Sequence, residues 1–407
     1  MKTVQLTKPI QKRLERVLAG HPRPIPLHVP TFRGNCAAYV NECIETGWVS
    51  SAGAFVDRFE ADLVRYTGAK HVVACVNGTA ALHMALLLAG VKPGDEVICP
   101  ALTFVATANA IRHAEATPHF VDVEPQALGI DPVALERHLE DMARREDDGG
   151  CLNASTGRPI RAVVIMHAFG HPADVDGVQA VCEKWGLTLV EDAAESLGSF
   201  ANGRHTGTIG RLGVLSFNGN KVITTGGGGA ILTNDADLAT RGKHLTTTAK
   251  QPHPWAYVHD DVAYNYRMPN LNAALGCAQL EYLDELLAAK RRLAERYIEA
   301  FSDLEGVSIL VDPDGCRSNY WLNALVLEHG TEADRDALLE ALHEAGFLCR
   351  PIWEPMHRLP MFSACPRGAL PVTESFAARV VNIPSSAHLA TSDIQKEITS
   401  ADASADA

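Results

Sequence analysis

The chain reads as an α/β protein of two lobes, a larger one built on a mostly parallel sheet and a smaller C-terminal α/β lobe. Three observations predict this. At 407 residues the chain is longer than one hydrophobic core usually supports. Short apolar runs alternate with helical patterns over its first two-thirds, as in strands joined by right-handed crossovers. A content of 46% hydrophobic and 21% charged residues is that of an ordinary globular enzyme.

The elements follow in order. "LTKPIQKRLERVLAG" near the start predicts a short amphipathic helix. "HVVACV" (71–76) predicts a strand and "GTAALHMALLLAGV" (78–91) a helix. The alternation continues with strands at 95–100, 118–123, 162–169 and 187–192, and helices at 103–116, 131–146 and 174–186. "GGCLNASTGRP" (149–159) reads as a surface loop. Around 208–232 the pattern turns to strands and glycines, as in a closing hairpin layer. A long helical tract, 268–301, opens the second part; "SNYWLNALVLE" (318–328) and the helix 332–346 then build the smaller lobe. The expected divisions are an N-terminal extension at 1–30, a large domain at 31–267, a small one at 268–398 and a disordered tail at 399–407.

Composition narrows the function. Lys plus Arg number 36 against 49 for Asp plus Glu, a net charge of −13, which disfavours nucleic acid as partner. No apolar run is long enough to span a membrane, and the N-terminus lacks a secretory signal. Ten cysteines with no C-x-x-C pair point to reduced thiols, a cytoplasmic setting and no zinc site.

Three motifs then fall at strand ends, the edge where parallel sheets bind ligands. "CVNGTAALH" sets Asn77, Gly78 and Thr79 at a helix start, where backbone N–H groups and the helix dipole suit a phosphate. A plainer role is a capped helix with Thr79 as cap. "TLVEDAAESLG" ends a very apolar strand on Glu191 and Asp192; a buried carboxylate there needs a cation, unless it only caps the next helix. "SFNGNKVITTGGGG" places Lys221 five residues after Ser216 and ahead of four glycines that let backbone approach closely. A solvated turn lysine would not explain such uncharged flanks. A phosphate cradle, a strand-end aspartate and a lysine together meet the needs of pyridoxal 5′-phosphate. Lys221 would join its aldehyde, Asp192 would keep its pyridine nitrogen protonated, and Ser216 with the helix start would bind the phosphate. Phe104, in "PALTFVAT", would stack on the ring. No nucleotide-binding loop, serine-hydrolase elbow or H-E-x-x-H zinc motif competes.

These motifs, with "GWVSSAG", "HAFGHPADVD" and "YNYRMPNLNAALGCAQLE" in this order, resemble the DegT/StrS-type sugar aminotransferases from about residue 25 to about residue 390. The resemblance implies the fold of type I pyridoxal-phosphate enzymes, that of aspartate aminotransferase. It implies Lys221 as the cofactor lysine and Asp192 as partner of the ring nitrogen. Gly78, Thr79 and Ser216 would hold the phosphate, Phe104 the ring face, and Glu195, where many members carry Gln, would lie near the cofactor's 3′-oxygen. Asn265 would reach the phosphate of a partner subunit in a homodimer that shares its active sites. "TGGGG" departs from a commoner pattern with an acid at the place of Gly227. "TGWVSSAGAFVDRFE", "KHLTTTAKQPHPWAYVHD" and "RPIWEPMHRLPMF" resemble the branch serving legionaminic-acid and related pathways. The implied reaction amino-transfers, from glutamate, to a UDP- or GDP-linked 4-keto-6-deoxy sugar of the N-acetylglucosamine type. A perosamine precursor is the alternative substrate. A sugar dehydratase is the rival reaction, but those relatives carry His in place of the lysine. His167 and His259 are expected to be structural or surface residues.

Overall fold

The computed structural model describes residues 6–147 and 149–390; the tail expected at 399–407 lies outside them. Its main sheet runs in the order His71–Cys75, Gly229–Thr233, Leu212–Ser216, Thr188–Asp192, Pro159–Met166, Glu96–Pro100, Thr117–Val121. Gly229–Thr233 pairs antiparallel with both neighbours, and the remaining pairings along this path are parallel. The expected alternation is therefore present, with helices at Gly78–Leu88, Val105–His113, Pro132–Met142 and Val175–Trp185. The sheet is covered on both faces. Its strands are accordingly apolar through their centres, as at Val97–Cys99 in the fully buried Glu96–Pro100.

The loop expected at 149–159 is corrected. Cys151–Asn153 is a short strand added to the sheet, paired on one side with Ala143–Arg145 and on the other with Pro159–Ile160. Glycine and polar residues hid it, because Asn153 spends its side chain on the fold. Its amide donates to Glu96, and its Oδ1 accepts the N–H groups of Ser155 and Thr156.

The second sheet is antiparallel, in the order Val307–Ile309, Asn323–Leu327, Val380–Ile383, Arg350–Pro351. Helices Leu283–Phe301 and Glu332–Glu344 join it in one core with Leu325, Val381 and Phe347. The N-terminal helix Thr7–Val17 enters that same core through Ile10 and Leu14. The tract at 268–301 is two helices, Asn270–Leu280 and Leu283–Phe301, broken at Glu281–Tyr282. The first packs on helices Cys36–Thr46 and Ala54–Thr67, so closely that a Cβ at Gly276 would meet the Phe59 ring at 2.5 Å. Among the described residues no helix is long and apolar enough to cross a membrane.

Candidate active site

A cavity of about 600 Å³ opens where the parallel strands end and the antiparallel sheet begins. Its wall includes Gly78, Thr79, Phe104, Asp192, Glu195, Ser216 and Lys221, seven residues singled out from sequence. Asn265 is not part of it. That residue is exposed, and its backbone pairs with Thr247.

The phosphate-type corner is built by close packing. Asn77, not Thr79, caps the Gly78–Leu88 helix: its side chain accepts the Ala80 N–H at 2.8 Å. The N–H groups of the first turn face the cavity end of the helix dipole. A Cβ on Gly78 would stand 2.8 Å from the Ser216 Cβ, so the helix start lies directly on that serine. Gly229 answers for the end of the glycine run. A Cβ there would reach the Asn77 carbonyl at 2.5 Å, because strand Gly229–Thr233 passes against this turn. Gly226 takes a left-handed φ of 79°. Gly227 meets nothing nearer than 3.8 Å, so an acid at its place would fit. Asn272 secures the run by donating to the carbonyls of Thr225 and Gly227.

Asp192 ends its strand 5% exposed. Its Oδ2 accepts the Thr107 hydroxyl at 2.7 Å and its Oδ1 the Ala194 N–H at 3.2 Å. No helix starts behind it for it to cap. Burial is the largest influence and raises its pKa; Thr107, Ala194 and the more distant Lys221 charge only partly oppose this. A carboxylate held this way is short of a cation.

Lys221 sits on the loop between strands Leu212–Ser216 and Gly229–Thr233. Its side chain is 12% exposed, which removes the solvated-turn reading. Its Nζ lies 3.3 Å from Glu195 Oε1 on one side and 3.9 Å from the Trp321 ring centroid on the other. Glu195 is itself buried, and the Phe169 N–H holds its second oxygen at 2.9 Å. Burial pushes this carboxyl up to about 7, against the pull of Lys221.

Trp321 is the residue the sequence reading missed. It lies in "SNYWLNALVLE", which the sequence marks only as part of the smaller lobe and of the branch resemblance, with no site role. His167 is structural, as expected: its Nε2 donates to buried Glu191 and its Nδ1 accepts the Ala173 N–H. His259 is exposed and bonded to the Thr248 carbonyl.

The donor set fits pyridoxal phosphate on the structure's own terms. Buried Asp192 lacks a cation that a pyridinium would supply, and Phe104, 48% exposed on the cavity wall, offers a flat face. Fold and site thus define a pyridoxal-phosphate-dependent aminotransferase of fold type I. A sequence profile of the DegT/DnrJ/EryC1/StrS aminotransferase family matches residues 30–401, and the chain belongs to that family. It is 38% identical over 367 residues to the GDP-perosamine synthase of Vibrio cholerae, covering 89% of this chain and 94% of the relative. It is also 38% identical to the putative pyridoxal phosphate-dependent aminotransferase EpsN of Bacillus subtilis, covering 84% of each. Among solved structures, the aminotransferase TlmJ of Streptoalloteichus hindustanus superposes with a TM-score of 0.80 at 29% identity, covering 92% of this chain and 96% of that one.

Proposed function

We propose that the enzyme aminates a nucleotide-linked 4-keto-6-deoxy sugar, with glutamate as amino donor. The observation that carries the reading is the facing pair in one cavity: the Lys221 amine and the cation-deficient Asp192, beside a phosphate-type helix start. Bound pyridoxal phosphate supplies an aldehyde that receives the amino group and a ring that draws electrons from the reacting carbon. The chain does the rest. Gly78, Thr79 and Ser216 hold the phosphate, Phe104 packs on the ring, and Asp192 keeps the ring nitrogen protonated. Lys221 is the group that moves a proton to and from the carbon bearing nitrogen, and Glu195 lies 3.3 Å from its Nζ to orient it. Donor and acceptor use the site in turn, so ping-pong kinetics follow.

The GDP-perosamine synthase relative favours guanosine diphosphate and a perosamine-type sugar. A second reading, a UDP- or GDP-linked N-acetylated sugar on the way to legionaminic acid, rests on the branch motifs such as "RPIWEPMHRLPMF". Lys221 weighs against a dehydratase. We also infer a cytoplasmic homodimer in which Asn265 reaches the partner's cofactor phosphate. Its segment supports this, since Trp255, Tyr257, Val258 and Val262 are 50–85% exposed.

The test is turnover against a panel of uridine- and guanosine-linked 4-keto sugars with glutamate, followed by product mass. Amination of one nucleotide series at least about tenfold faster decides the substrate. Amino transfer confined to amino and keto acids would refute the sugar reading.

A further inference from the structure

Lys290, on the Leu283–Phe301 helix, is 1% exposed. Its recorded partners are two main-chain carbonyls, Trp321 O at 3.0 Å and Ser385 O at 2.6 Å. No carboxylate lies within 4.0 Å of its Nζ among the described residues. Burial alone pulls its amine down to about 7. An apolar side chain of similar length would fill this space without that penalty, so the lysine calls for a role beyond packing.

Its two partners lie on segments that wall the cavity. Trp321 carries the indole whose face stands 3.9 Å from Lys221 Nζ, and the indole Nε1 donates to the Asn220 carbonyl at 2.6 Å, one residue before Lys221. Asn319, two residues earlier, accepts the Trp321 N–H at 2.7 Å and donates to the Glu195 carbonyl at 2.8 Å. Ser385 ties the other segment, its Oγ accepting the Asn323 N–H at 2.8 Å. The 318–322 segment thus supplies one neighbour of the Lys221 amine, Trp321, and bonds the backbone of the other, Glu195, and Lys290 anchors it to the long helix.

We propose that Lys290 is a positioning residue for the amino-transfer reaction: by holding the Trp321 and Ser385 carbonyls it sets the indole face against the Lys221 amine. The inference rests on Lys221 being the cofactor lysine. The experiment uses cofactor-loaded enzyme carrying Lys290→Met, Lys290→Gln, Trp321→Leu, and each position-290 change combined with Trp321→Leu. Three quantities are read: the pH midpoint of the visible band of lysine-bound cofactor, kcat, and KM for the amino donor.

With Lys290→Met the midpoint falls by about half a unit or more, because the ring face no longer stabilises the protonated nitrogen. kcat falls about 5- to 20-fold while KM stays within about twofold. Gln keeps two N–H donors for two carbonyls, and Lys290→Gln recovers at least half of each loss. Adding Lys290→Met to Trp321→Leu changes the midpoint no further, since both act through one contact. A folded Lys290→Met enzyme with wild-type midpoint and kcat overturns the proposal, as does additivity in the double variant. Should Met at 290 prevent folding, Trp321→Leu decides: a folded Trp321→Leu enzyme with wild-type midpoint and kcat overturns the proposal. Lys221→Ala serves as the control: if it leaves the visible band intact, the reading of the site fails instead.

Discussion

Glu191 and Asp192 are consecutive on one strand, 0% and 5% exposed, and their carboxyls are pushed in opposite directions. Glu191 points to the side of the sheet away from the cavity. It accepts from His167 Nε2 and from the N–H groups of Gly207, Ile209 and Gly210, and these donors hold it below the usual carboxylate range despite burial. Asp192 faces the cavity with two donors, and burial wins. Burial alone therefore does not mark a functional acid. The mark is burial with the hydrogen-bonding and charge balance left incomplete, because the missing partner is a ligand.

The largest effects should break the cavity side. Lys221→Ala is expected to lower turnover by about 10⁴ or more and to abolish borohydride trapping of the cofactor, while thermal stability changes little. Normal turnover by that variant would end the account. Asp192→Asn should cost about 10²–10⁴ in kcat, with cofactor still bound.

Glu191→Gln should do the reverse. Its amide N–H groups would face buried donors, so a loss of about 1–3 kcal/mol is expected in denaturant unfolding, with kcat per folded enzyme nearly unchanged. An equal loss of kcat would erase the contrast between the two acids.

Glu195 sharpens the comparison through pH. Its folded pKa, about 7, lies above the ordinary glutamate value of 4.5, so the folded chain binds more protons between these pH values. Its contribution to stability is complete below about pH 4.5 and is lost as pH rises through 7. Wild type should therefore lose melting temperature relative to Glu195→Gln between pH 5 and 8, as followed by calorimetry. A difference independent of pH would show that the carboxyl does not titrate there. The smallest effect is expected at Gly227→Asp, where an added Cβ meets nothing nearer than the Val76 carbonyl at 3.8 Å: melting temperature should move by no more than about 1 °C.

Much of this was legible beforehand. The strand–helix alternation, the cradle at Asn77–Thr79 and the Asp192–Lys221 pair follow from short-range pattern, since each motif sits at the end of an apolar run. Other features were not. The strand Cys151–Asn153 is only three residues long and lies among glycine and polar residues that read as a turn, so its pairing with Ala143–Arg145 and with Pro159–Ile160 was not legible. The break at Glu281–Tyr282 carries no Gly or Pro, so nothing local announces it. Trp321 and Lys290 read as ordinary small-lobe residues.

By itself the sequence determined the class of protein: periodicity set the α/β architecture, and the few polar residues at strand ends set the cofactor chemistry. Only the tertiary structure decided which buried groups are complete and which await a ligand. It told Glu191 from Asp192 and showed what stands on either side of the Lys221 amine. The reason is physical: a side chain's hydrogen-bond balance depends on partners 16 to 101 positions away, as with Gly207 on Glu191 and Trp321 on Asn220, and no window of sequence holds both ends.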